Sequence, residues 1–320
     1  KKNQKEGSEG TLKLKVVYMG SPDFGVPTLK ALQAEFDVLG VITQPDKPTG
    51  RGRKLASSPV KTEADNLAIP CVQPQDLNDE SLKNRLTEWM PDVIVVVAYG
   101  RMLPQWILDL PRMGCINVHA SILPQHRGAS PISTAIAQGD EITGVTTMMM
   151  DKGLDTGDML LHATIKIDDR DTTASLSEKL MELGAELVVR TILGLGERSL
   201  ERTSQDNTKA TSTRLLTKKD GQIDWNRTAE EIDRFIRAMN PWPIAFFEFK
   251  GEAIKVWEAE PANGEAASGE VVEINRNGLT VGSGGGLIVL RQLQAPGKKK
   301  VAAFELASSK GIKPGDILNN

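Results

Sequence analysis

Residues 92–100, DVIVVVAYG, restrict this chain to a narrow set of folds. Five consecutive β-branched residues with no polar alternation fit a strand buried on both faces, and strands of that kind belong to parallel sheets covered by helices. Strand and helix patterns alternate around it. LKLKVVYMG (12–20) leads into helical GVPTLKALQAE (25–35), and FDVLGVITQ (36–44) reads as a second strand. A helix over VKTEADNLA (60–68) precedes a short strand at PCVQP (70–74), and a helix near 78–89 precedes the 92–100 strand. GCINVHAS (114–121) is a further strand end. A helix near 130–138, strands at 144–150 and 159–167 and a long helix over 172–194 complete the pattern. Alternation of this kind implies βαβ units and an α/β fold with a mostly parallel sheet. The strands at 144–150 and 159–167 are close enough, through DKGLDTG, to pair as a hairpin at the sheet edge.

The pattern then changes. Residues 196–216 (GERSLERTSQDNTKATS and its neighbours) are polar and turn-rich and read as a linker. After one helix at 229–239 come five short strands separated by Gly or Asn turns, which suggests a small β-barrel. The expected organisation is a tail over 1–11 that is disordered or an appended remnant, an α/β domain over 12–195, a linker over 196–216 and a barrel domain over 217–320. A length of 320 residues accommodates two such domains.

Two cysteines, Cys71 and Cys115, exclude a disulfide scaffold, and both sit in apolar runs without metal-ligand spacing. No run of about 18 apolar residues and no apolar leader is present, so neither a membrane span nor a signal peptide is expected. Reduced cysteines fit the cytoplasm. The formal net charge of −3 argues against a protein coated in positive charge, but not against a local basic patch.

Two such patches occur. DKPTGRGRK (46–54) sets Lys47, Arg51, Arg53 and Lys54 against Asp46 alone, and its two glycines let it follow a phosphate backbone. Lys298, Lys299 and Lys300, with Arg291 nearby, fall in the expected barrel, a fold that often binds oligonucleotides through basic loops. Taken singly, each also reads as a solvated charge run.

Asn117 and His119 are the candidates for chemistry. Two residues apart on a strand, they share one face at its carboxyl end, where sheets of this kind bind ligands. An amide donor and an imidazole together can hold the oxyanion that develops in acyl transfer, and Asp155 sits in a loop that can bring a carboxylate to orient or charge the imidazole. From spacing alone a strand-end histidine is more often structural, and an aspartate in a Gly-flanked turn more often a turn former. His162 reads as structural or exposed, and His126 has no clear role. The turn MGSPDFG (19–25) lacks GxGxxG, so a dinucleotide site is poorly supported.

These segments converge on one family. VVYMGSPDFGVPTLKAL, TQPDKPTGRGRKLASSPVK, PDVIVVVAYGRMLP, INVHASILPQHRGASPI, MDKGLDTGDML, DGQIDWN, RAMNPWPIAFF and LQAPGKKK resemble the methionyl-tRNA formyltransferases from about residue 13 almost to the end. The block N-x-H-x-S-x-L-P-x-x-R-G-x-x-P is specific to folate-dependent formyltransferases. The resemblance implies a Rossmann-like formyltransferase domain followed by an OB-like barrel that binds tRNA. It implies 10-formyltetrahydrofolate as formyl donor and no metal. Asn117, His119 and Asp155 carry over as the catalytic trio. The folate site maps to Tyr99, Gly100, Arg101, Met102 and Leu103, and to Ser121, Ile122, Leu123, Pro124, Arg127 and Gly128. Arg51 maps to an inserted loop that contacts the acceptor stem of methionyl initiator tRNA. Gln125 and His126 depart from the aromatic and basic residues frequent in the family.

The implied reaction is direct attack of the methionyl α-amino group on the formyl carbon, with no covalent intermediate on the protein. A monomer is expected, since no dimer seam is visible. The rivals are a formyltransferase acting on a small amine, a non-catalytic RNA-binding relative and a hydrolase releasing formate. The basic loop, the barrel and the intact trio count against them.

Overall fold

The computed structural model describes residues 13–49 and 54–318; the expected tail over 1–11 and the loop residues Arg51 and Arg53 lie outside them. The opening follows the predicted alternation, with β1 (Lys15–Gly20), α1 (Val26–Glu35) and β2 (Asp37–Ile42). β3 (Lys47–Thr49) and β4 (Lys54–Ala56) then pair antiparallel, with Lys47 opposite Ala56 and Thr49 opposite Lys54. The stretch 45–58, expected as a loop throughout, thus contains a two-stranded ribbon. Pro48 hid it, because a proline argues against a strand except where one edge lacks a partner.

α2 (Pro59–Asn66), β5 (Cys71–Val72), α3 (Glu80–Trp89), β6 (Val93–Val97), α4 (Gln105–Leu108) and β7 (Cys115–His119) continue the alternation. β8 (Arg127–Gly128), α5 (Pro131–Gln138), β9 (Ile142–Met149), β10 (Met159–Lys166) and α6 (Thr173–Gly196) follow. Proline opens the first turn of α1, α2 and α5. It costs nothing there, because first-turn N–H groups have no intrahelical acceptor. The Ser58 hydroxyl caps α2 by accepting from the Lys61 N–H, and the Asp79 carboxylate caps α3 by accepting from the Ser81 N–H.

Seven strands form one sheet in the order β10-β9-β7-β6-β1-β2-β5. β1 runs parallel to β2 and β6, β2 to β5, and β6 to β7, whereas β9 runs antiparallel to β7. β9 and β10 are the edge hairpin that the sequence suggests. All five residues of β6 are buried, each side chain contributing about 1.5–3 kcal/mol by leaving water. Val17, Met19, Ile42, Ile94, Val96 and Leu86 make up much of the surrounding core. Gly40 of β2 is required by packing: a Cβ there would lie 2.2 Å from the Trp89 ring.

The C-terminal part begins with β11 (Ser212–Thr213), which pairs parallel with β8, and α7 (Ala229–Ala238). α7 carries a capping box: the Thr228 hydroxyl accepts from the Glu231 N–H, and the Thr228 N–H donates to the Glu231 carboxylate. β12 (Ala245–Phe249), β13 (Glu252–Ala262), β14 (Val271–Asn275), β15 (Gly278–Gly282) and β16 (Leu287–Gln294) form an antiparallel sheet in the order β12-β13-β16-β15-β14, and β17 (Val301–Ala302) pairs with β16. Trp225, Phe247, Ile254, Leu279 and Leu290 are buried here. α8 (Ala303–Lys310), absent from the sequence reading, buries Ala303, Leu306 and Ala307. The expected fold class holds: a mostly parallel α/β sheet followed by a small antiparallel sheet domain.

The chain divides into two compact units. The first holds residues up to 119, 145–163 and 181–205; the second holds 120–144, 164–180 and 206 onward.

Candidate active site

In the first unit Asn117 and His119 project from the same face of β7, opposite Met148 and Thr146 of β9. After β9 the chain turns through residues 150–158 before β10. The turn is wound tightly. The Asp151 Oδ1 accepts from the Gly153 N–H (2.9 Å) and the Thr156 hydroxyl (2.7 Å), and the Met149 N–H donates to the Asp158 carbonyl (2.8 Å). Gly157 passes so close to β9 that a Cβ would lie 1.8 Å from the Met149 carbonyl oxygen. Asp155 takes a left-handed backbone, φ 56°, a conformation aspartate tolerates better than most side chains.

This turn delivers the carboxylate to the amide and the imidazole. Asn117 Nδ2 donates to Asp155 Oδ1 at 3.2 Å, and His119 Nδ1 lies 3.6 Å from Asp155 Oδ2. The His119 and Asp155 side chains are 7% and 10% exposed, so bulk water screens their interaction only weakly. Both carboxylate oxygens are engaged, one toward each partner. The imidazole turns its Nδ1 edge toward the carboxylate at ion-pair distance, with Nε2 on the opposite edge of the ring.

The segment Tyr99–Leu103 leaves the carboxyl end of β6 in the same unit. The Tyr99 ring is buried, which pushes its phenol above the ordinary tyrosine value, while its carbonyl accepts from Gln44 Nε2 at 2.6 Å. Gly100 has φ 75°. Arg101 donates to the carbonyls of Pro74 and Gln75 at 3.2 and 3.0 Å. Met102 is exposed and Leu103 buried. Lys47 is exposed and donates to Gln44 Oε1 at 2.9 Å; Lys54 begins β4. An open cleft of about 500 Å3 lies beside the turn, lined by Gln105, Asp109, Asp151 and Lys152 among others. Its lining does not include the trio, so the contacts of Asn117, His119 and Asp155 define the site better than the cleft does.

In the second unit, the Ser121 hydroxyl donates to the Gln125 carbonyl at 2.6 Å, Ile122 is half-buried, Leu123 is buried and a cis peptide bond joins it to Pro124. Arg127 is buried and donates to Asn207 Oδ1 at 2.9 Å, and Gly128 pairs with Thr213. His126, without a role in the sequence reading, is buried, with Nε2 2.7 Å from Asp140 Oδ2. Lys298, Lys299 and Lys300 are exposed, and the Lys300 ammonium sits 3.5 Å from the centre of the Trp257 ring.

Sequence reasoning missed Gln205. Its Nε2 donates to the carbonyls of Asp155 (2.9 Å) and Gly157 (2.7 Å). Nothing in a polar, turn-rich stretch without periodicity sets one glutamine apart.

A mostly parallel sheet that gathers an amide, an imidazole and a carboxylate at its carboxyl edge puts groups able to stabilise an oxyanion where α/β sheets bind their ligands. Residues 13–192 match the formyl transferase family, and residues 215–311 match the formyl transferase C-terminal domain. The chain is 43% identical over 313 residues to the methionyl-tRNA formyltransferase of Lachnospira eligens, covering 95% of this chain and 99% of that one. It is 44% identical over 308 residues to the methionyl-tRNA formyltransferase of Clostridium tetani, with the same coverage. Among solved structures, HypX from Aquifex aeolicus in complex with tetrahydrofolic acid superposes with a TM-score of 0.64 at 16% identity. That match covers 97% of this chain and 51% of HypX, about half its length, and bears on the fold alone. The chain belongs to the formyl transferase family.

Proposed function

We propose that this protein transfers the formyl group of 10-formyltetrahydrofolate to the α-amino group of methionyl initiator tRNA. The observation that carries this reading is identity of 43–44% along 95% of the chain to two proteins of that name. The folate is a substrate, consumed in each turnover.

The chemistry follows from the side chains. A bond forms between the methionyl nitrogen and the formyl carbon, and the bond from that carbon to folate N10 breaks. In between, the carbon is tetrahedral and its oxygen carries negative charge. Asn117 and His119 donate hydrogen bonds to that oxygen. Asp155 holds both donors in place through its two oxygens, and takes part in moving the proton lost by the amine toward N10, directly or through a water. Donors fixed before the reaction need no reorganisation as charge develops, which is why such groups contribute strongly to rate.

The backbone at Tyr99, Gly100, Arg101, Met102 and Leu103 and the loop at Ser121, Ile122, Leu123, Pro124, Arg127 and Gly128 bind the folate. Lys47, Arg51, Arg53 and Lys54, with Lys298, Lys299 and Lys300, bind the tRNA through its phosphates. Residues 12–195 perform the transfer, 217–320 bind RNA, and 196–216 join them. The protein acts as a monomer in the cytoplasm; among the described residues no helix is long and apolar enough to cross a membrane.

The test is a formyl-transfer assay with the folate donor and methionylated initiator tRNA, with elongator tRNA and small amines as controls. Transfer confined to the initiator is the expected result. Transfer to a small amine with tRNA ignored would replace this reading with that of a small-amine formyltransferase, and formate release without any acceptor would replace it with a hydrolase.

A further inference from the structure

The catalytic reading leaves one problem open. Asp155 must hold Asn117 and His119 at once, yet it sits on a turn in a left-handed backbone conformation, which an L-residue keeps only where its surroundings impose it. The first half of the turn is fixed by Asp151, through Gly153 and Thr156. Those bonds straddle Asp155 without reaching its own peptide groups.

We propose that Gln205 is a positioning residue for formyl transfer, its side-chain amide fixing the backbone of Asp155 and hence the carboxylate that holds Asn117 and His119. This rests on the reading that Asp155 serves the reaction. Gln205 Nε2 has two N–H groups, and the carbonyls it meets are those of residues 155 and 157, two apart, at 2.9 and 2.7 Å. One nitrogen therefore staples the second half of the turn at two points, one of them the Asp155 carbonyl itself. The staple is itself anchored. Thr203 and Met159 exchange backbone hydrogen bonds at 2.9 and 2.8 Å, and the Ser204 hydroxyl donates to Asp158 Oδ1 at 2.8 Å. Gln205 is half-buried although the residues on either side of it, Ser204 and Asp206, are exposed. The donor–acceptor distances at the trio are 3.2 and 3.6 Å. A turn that drifts by about 1 Å takes both beyond useful contact, and displacements of that size in positioned groups can cost on the order of 100-fold in rate.

The test compares three variants for kcat, for KM of folate and tRNA, and for thermal unfolding. Gln205→Ala removes the donors. Gln205→Glu keeps the shape but turns an acceptor toward two carbonyls, and it serves if the alanine variant does not fold. Gln205→Lys restores a donor of similar reach. The expected result is a loss of roughly tenfold to 100-fold in kcat for the alanine and glutamate variants, with both KM values within about twofold, and partial recovery with lysine. A purely structural brace would instead lower the unfolding temperature and leave kcat of the folded protein unchanged, which overturns the proposal.

A double-mutant cycle completes the test. With Asp155→Asn already present, Gln205→Ala should cost less than about twofold more, because both act through one group. Losses that multiply in full would overturn the role assigned to Gln205. If Asp155→Asn alone kept normal turnover, the reading of Asp155 would fail on its own, and a loss in Gln205→Ala would then need another route.

Discussion

Every residue of β6 is buried, whereas along β12 burial alternates, with exposed Glu248 between buried Phe247 and Phe249. The central strands of the mostly parallel sheet, of which β6 is the clearest, are covered on both faces and leave little surface for polar groups, whereas its edge strand β10 exposes His162, Thr164 and Lys166. Polar groups that meet one another therefore gather at strand ends and the turns beyond them, as do Asn117 and His119 at the end of β7 and Asp155 in the turn after β9, the groups proposed for the reaction. The antiparallel sheet keeps one polar face, where Glu258 and Glu260 meet Arg170, and Arg291 meets Glu260. That face is rich in carboxylates, so contact with an extended polyanion would fall instead to Lys298, Lys299 and Lys300 in the segment after β16, while the covered strands suit a small, dry reaction centre at their ends.

The contrast can be broken most directly by stability. Phe247→Ala should cost about 3–5 kcal/mol and Ile94→Ala about 2–5 kcal/mol in denaturant unfolding, whereas Glu248→Ala should stay within about 0.5 kcal/mol. A large cost at Glu248 would mean that the antiparallel sheet is covered on both faces too. Next in size is catalysis. His119→Ala should lose roughly 100-fold to 1000-fold in kcat, about 2.7–4 kcal/mol, with unfolding unchanged; a variant with near-normal turnover would remove the strand-end chemistry. A smaller effect is expected in the exposed segment between β16 and β17. Replacing Lys298, Lys299 and Lys300 by alanine should raise KM for tRNA by roughly tenfold, flatten its salt dependence and leave KM for folate alone. Equal changes in both would sever the polyanion reading from this sheet. The smallest effect concerns Cys115. Burial pushes its thiol up to about 12, so at pH 8 the reactive thiolate is scarce, and mass spectrometry after brief alkylation should find it unmodified until the protein is denatured.

The same contrast explains what could be read from the sequence. The run at 93–97 announces a covered strand because nothing polar interrupts it, and the Asn117–His119 spacing places both on one face. Asp155 entered by resemblance; turn composition could not show that a left-handed backbone and the tight passage at Gly157 aim it back at β7. The β3–β4 ribbon was hidden by Pro48, and α8 by its short, weakly patterned sequence. Residues 196–216 read as a linker because they lack periodicity, yet Thr203, Ser204 and Gln205 are tied to the β9–β10 turn by hydrogen bonds that no local pattern encodes. Arg51 and Arg53 lie outside the described residues, so their part in binding RNA rests on charge and resemblance.

The contacts around Asp155 join positions far apart along the chain, 38 residues back to Asn117 and 50 onward to Gln205. During synthesis the ribosome therefore makes Asn117, His119 and Asp155 before it makes the staple. At about 5–20 residues per second, the turn spends roughly three to ten seconds without Gln205. A nascent chain halted in that interval would hold the amide, the imidazole and the carboxylate and still lack the glutamine proposed to keep them aligned.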